Sequence, residues 1–194
     1  MRFNDKKIAG TLVFVGSVQF IIVMIMAEAL YPYYSVAGNY ISDLGVGSTA
    51  LLFNSSVFLL GLLIVGGAYF VYRAFGSKLI LVLLVLTGVG AIGVGLFPET
   101  AGYIHTVFSL ITFLFGGLSA IMFYEAEESP FSWLSVVLGA VGLVALALFI
   151  SGYYLGLGWG GMERMIAYPI LLWGVGLGGH LIGSFKDSAA ATKA

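Results

Sequence analysis

The chain has 194 residues, of which 60% are hydrophobic and 9% are charged, with a formal net charge of -1. Soluble domains carry roughly a quarter charged residues, so this composition belongs in a bilayer. Near-neutral charge without a basic stripe interleaved with aromatics argues against nucleic acid as a partner, and the lack of cysteine removes disulfides, thiolate metal sites and cysteine nucleophiles.

Six apolar segments follow one another, each near the roughly 20 helical residues that the hydrocarbon core requires. A helix also satisfies its own backbone groups in lipid. The first segment covers residues 8–30. Lys6 and Lys7 precede it as they would a secretory signal, but the apolar run reaches Ala27, well past the about 7–15 residues of a signal core, which predicts a retained span. Tyr31-Pro32 closes it. The loop that follows holds Asn39-Tyr40-Ile41-Ser42-Asp43-Leu44-Gly45, with an amide, a hydroxyl and a carboxylate inside five residues. The remaining spans are predicted at 50–72, 79–97, 102–123, 131–151 and 165–184. Gly76-Ser77, Pro98, Ser129-Pro130 and a glycine-rich run over 152–161 punctuate them. The expected fold class is all-α: a single domain over 1–187, an integral membrane bundle of six transmembrane helices. A small polar tail, 188–194, is expected to be disordered.

Lysine and arginine accumulate in cytoplasmic loops. With the amino terminus inside, Arg2, Lys6, Lys7, Arg73, Lys78, Lys186 and Lys193 all lie on the cytoplasmic side, and Arg164 is the one outer cation. Both termini are therefore expected in the cytoplasm, with the protein multi-pass in the cell membrane. Glycines recur at helical spacing, as in Gly88-Gly90-Gly93-Gly95, Gly139-Gly142 and Gly174-Gly176-Gly178-Gly179-Gly183. Small residues allow close helix approach in lipid, so these predict tight packing within the bundle or against a helical partner or second copy. A phosphate cradle would need a strand before the glycines and a polar loop after them, and the sequence offers neither.

On this topology Asn39, Ser42, Asp43, Glu99, Glu163 and Arg164 emerge in outer loops, and Glu28, Asn54 and His105 lie within about two helical turns of the same side. Convergence from several spans makes Asn39, Ser42, Asp43, Glu99, His105, Glu163 and Arg164 the candidate ligand-binding set. The solitary Arg164 is expected to lock loops together through a carboxylate such as Asp43, Glu99 or Glu163. Gln19 and His180, inside spans, read as helix-to-helix hydrogen-bonding groups. Tyr31, Tyr33, Tyr34, Tyr40, Tyr153, Tyr154 and Trp159 read as an interfacial aromatic belt.

Three local signatures, Asn39 to Gly45, Phe97-Pro98-Glu99-Thr100 with Ile104-His105, and Gly161-Met162-Glu163-Arg164 with Trp173, together resemble the archaeal and bacterial multi-pass membrane proteins grouped as domain of unknown function nine-nine-eight. The resemblance covers nearly the whole chain. It implies a six-span fold and a membrane location and supplies no reaction.

Carboxylates and an imidazole at one rim invite comparison with metal-dependent intramembrane lipid hydrolases. That chemistry looks for three histidines, whereas this chain has His105 and His180, whose depths in their spans differ by about 18 Å at 1.5 Å per residue. No metal ligand set is therefore assigned. A Ser42, His105, Asp43 triad fails as well, because adjacent residues would have to meet opposite sides of one ring. The leading expectation is a protein that binds a lipid head group or small polar ligand at an outer mouth. A lipid hydrolase and an accessory subunit of a larger membrane complex are the alternatives, and any cofactor is left unassigned.

Overall fold

A computed structural model describes the backbone of residues 2–191 and the side chains of residues 5–183. The tail expected to be disordered, 188–194, lies outside the residues whose side chains are described. The fold is all-α: α1 spans Arg2–Leu30, α2 Ala50–Phe75, α3 Lys78–Leu96, α4 Tyr103–Met122, α5 Phe131–Ile150 and α6 Gly158–Ala191. Six helices are long and apolar enough to cross a membrane, and large apolar side chains such as Leu62, Val82, Val144 and Leu172 stand exposed on their outer faces. That exposure costs nothing against lipid tails. The protein is a multi-pass membrane protein.

Local sequence sets the helix ends. Gly76 takes the left-handed conformation, φ 75°, and its N–H bonds Tyr72 O to close α2, while the Ser77 side chain accepts from Ile80 N to open α3. Pro98 follows the end of α3, and Gly102, φ 60°, precedes α4. Each helix packs on its sequence neighbours and α6 returns against α1, giving a closed ring of six. Reciprocal glycine pairs set three of these approaches. A Cβ on Gly61 would stand 2.5 Å from Gly88 O, one on Gly139 2.6 Å from Gly117 O, and one on Gly10 2.7 Å from Gly178 O. Gln19 bridges α1 to α2, donating to Ser56 O and accepting from Ser56 Oγ.

One end of the ring carries the loops 31–49, 97–102 and 151–157 and is called here the loop end. The opposite, basic end holds the Asp5–Arg73 ion pair at 3.3 Å and Lys6 over the Phe75 ring. The core is uneven along its length. Towards the basic end Ala68, Val71, Phe123, Leu177 and Leu181 are fully buried, and Phe123 packs edge-on against Trp173 and Phe75. Towards the loop end the ring holds a cavity.

The sixth helix starts at Gly158, seven residues before the expected position. The run 152–161 looks like a flexible connector in sequence, yet its later glycines lie under the 36–41 loop. A Cβ on Gly158 or Gly160 would overlap the carbonyl oxygens of Ala37 or Asn39. Here glycine admits a close approach, and Glu163 and Arg164 consequently sit inside α6 rather than in a loop.

Candidate functional site

The loop end is organised by side chains that hold backbone. Asp43 Oδ2 accepts from Tyr40 N at 3.0 Å and from Asn39 Nδ2 at 2.8 Å, and Asn39 Oδ1 in turn accepts from Ser35 N at 3.0 Å. These bonds fold 35–43 into a turn of the kind Asn and Asp side chains favour. Asn54 of α2 donates to Gly45 O, and Thr49 donates to Leu44 O. From α6, Glu163 Oε2 accepts the Ile41 N–H at 2.5 Å. Asp43 and Asn39 thus act mainly as builders of the loop.

Arg164 is 4% exposed. Its Nε and Nη2 donate to Glu28 Oε1 at 3.2 and 2.5 Å, and Nη2 also donates to Tyr34 Oη at 2.5 Å. Nη1 donates to Gly160 O, Val36 O and Asn39 O at 2.9, 3.2 and 3.3 Å. All five guanidinium N–H groups are engaged. Tyr34 Oη donates in turn to Tyr40 O at 2.8 Å, and burial pushes its phenol up to about 12, so it remains a neutral donor. Trp159 Nε1 donates to Gly38 O at 2.7 Å. Arg164 is a lock, as expected, but its carboxylate is Glu28. Consecutive helical residues point about 100° apart, so when Glu163 turns toward Ile41, Arg164 turns toward α1, where Glu28 closes the last turn.

Behind the loop lies the cavity. It measures about 100 Å³ and is walled by α1, α2, α3, α4, α6 and the Ile41–Ser42 segment. Ser42, His105 and Glu163 line it at the loop end, and Leu84, Trp173 and Gly174 line it deeper in. Eleven residues of α6 separate Glu163 from Gly174, about 16 Å at 1.5 Å per residue. The wall is largely apolar. The hydroxyls of Thr87 and Thr112 turn back onto Leu83 O and Phe108 O at 2.8 Å, leaving Ser17 and Ser109 as the other lining hydroxyls.

His105, 7% exposed, approaches Phe97 O with Nδ1 at 2.8 Å. A carbonyl only accepts, so Nδ1 carries the proton, and Nε2 of the neutral ring is an acceptor. Ser42 Oγ donates to Glu99 Oε2 at 3.3 Å. Burial, followed by the neighbouring Asp43 carboxylate, pushes the Glu99 carboxyl up to about 7, against a smaller opposing pull from the Ser42 hydroxyl.

The seven expected site residues therefore divide. Ser42, His105 and Glu163 line the cavity, with Glu99 hydrogen-bonded to one of them, whereas Asn39, Asp43 and Arg164 hold the loop in place. Sequence reasoning missed the cavity itself and the pairing role of Glu28. The latter had a signal: a carboxylate ending an apolar run at the membrane edge needs a partner. His180 lies at the other end, its Nε2 2.9 Å from Glu127 Oε2 and its ring stacked on Phe131. Among the described residues no three His, Asp or Glu side chains gather as a metal-ligand group.

Comparison with curated proteins finds no match, and comparison with solved structures finds none. A family model does match, over residues 14–180, a range that includes all of α2 to α5, most of α1 and α6 and every cavity-lining residue beyond Val13. The chain accordingly belongs to the family described as Protein of unknown function (DUF998).

Proposed function

We propose that this protein binds a single-chain amphiphile, with the apolar chain in the cavity between the helices and the head among Ser42, His105, Glu163 and Glu99. The observation that carries this reading is the polarity gradient of the cavity. Its ionisable lining residues, His105 and Glu163, lie together with Ser42 at the loop end, and the opposite end stops against the packed aromatic layer of Trp173 and Phe123. Apolar walls with a few convergent polar groups are the usual make-up of a small-molecule pocket. The distribution of lysine and arginine supports a loop end that faces away from the cytoplasm, which puts the head at the outer rim.

The test is retention of lipid. Ala167 and Ala91 are buried and line the cavity midway, so Ala167→Phe and the milder Ala91→Leu occupy the space of the chain. Native mass spectrometry of protein purified in mild detergent is expected to show a bound amphiphile on the wild type and a several-fold loss on both folded variants. Equal retention by wild type and variants overturns the reading.

A further inference from the structure

The head of the ligand can be specified further, on the reading that the cavity holds an amphiphile. Phosphate heads are recognised by arginine forks, lysine ammonium groups and free backbone N–H groups. At this rim the one described cation is Arg164, and its five N–H groups are already given to Glu28, Tyr34 and three carbonyls. The Ile41 N–H is held by Glu163 and the Tyr40 N–H by Asp43. Lys6, Lys7, Arg73 and Lys78 all belong to the opposite end of the ring.

What the cavity does offer is acceptors. Glu163, 7% exposed, uses Oε2 for Ile41, and no described residue donates to its second oxygen. His105, equally buried, has Nδ1 committed to Phe97 O, which leaves Nε2. Both side chains line the same cavity end beside Ser42, and the Glu99 and Asp43 carboxyls stand just outside it. Neither acceptor is fully enclosed and both belong to cavity-lining side chains, so a ligand donor in the cavity can reach them.

We infer that the site selects a single-chain amphiphile whose head is a hydrogen-bond donor, a hydroxyl or an amine, and discriminates against a phosphate on the same chain. The donor sits between Glu163 and His105 Nε2. A phosphate there would bring negative charge beside carboxylates with no cation left to meet it.

Three probes with one chain separate the outcomes: dodecanol, dodecylamine and dodecyl phosphate, each titrated against the full-length protein in neutral detergent, with binding read from the shift in unfolding midpoint. The alcohol or the amine is expected to bind at least about tenfold tighter than the phosphate, the scale of one hydrogen bond to a charged group, and the stronger of the two identifies the donor as neutral or cationic. Glu163→Gln still accepts from Ile41 but turns an amide toward the cavity, so it is expected to erase most of that preference. Its unfolding midpoint without probe reports whether it folds, and the wild-type comparison stands independently of it. Phosphate binding as tight as the alcohol and the amine overturns the head assignment alone. Failure of all three to bind overturns the amphiphile reading beneath it.

Discussion

Asp43 and Glu99 are both acidic and both adjoin Ser42, and they differ in what donates to them. Asp43 receives a backbone N–H and an amide N–H, whereas Glu99 receives a hydroxyl at 3.3 Å and faces the Asp43 charge. Its folded carboxyl titrates at about 7 against an ordinary 4.5, so the folded state binds that proton more tightly than the unfolded chain does. The resulting stability is fully present below about pH 4.5 and is lost as pH rises through about 7. Unfolding midpoints measured from about pH 5 to about pH 8 should fall more steeply for the wild type than for Glu99→Gln, and parallel curves would contradict the assignment. This pairing was only half legible in sequence. The motif announces that Asn39, Ser42 and Asp43 belong together, but which of them builds the loop and which faces the cavity depends on Glu163 and Glu99, respectively 120 and 56 residues beyond Asp43.

At the scale of the helices, apolar length and glycine spacing carry most of the information. Gly61 meets Gly88, and the Cβ of any larger residue at 61 would fall 2.5 Å from a backbone oxygen and 2.6 Å from Ile92 N. Both atoms are backbone of α3 and cannot swing aside as a flexible side chain would, so Gly61→Val should cost about 1–3 kcal/mol or more. The check is reversible unfolding of the variant in detergent. Gly179→Val, where a Cβ would meet nothing within 4 Å, is the control and should unfold close to the wild type. The boundaries of α2 to α5 lie within a few residues of the expected ones because each is marked by a turn residue that acts locally. The start of α6 was illegible for the opposite reason: its glycines answer to the distant 36–41 loop, and no local pattern separates a glycine that bends from one that is approached.

For the whole molecule, the ring and its uneven filling are properties that no single segment carries. Hydropathy counts six spans, yet the closure of α6 on α1 arises only when all six are assembled, and the void beside His105 only where five of them meet. Orientation, by contrast, rests on charge counting, and a cysteine-free chain makes it simple to test. A membrane-impermeant thiol reagent applied to intact cells is expected to label Ser35→Cys, at the loop end, and to reach Lys78→Cys only after lysis. The reverse pattern would turn the protein over.

The clasp between Glu28 and Arg164, 2.5 Å long across 136 residues, also puts an order in time on biogenesis. The ribosome delivers the acid with the first hairpin and its countercharge with the last, so for most of synthesis Glu28 waits at the bilayer edge without its mate. An isolated carboxylate held there is costly. The early intermediate must therefore keep that edge hydrated or borrow a cation from a helper, and the nascent bundle becomes a sealed barrel only when the final stave arrives.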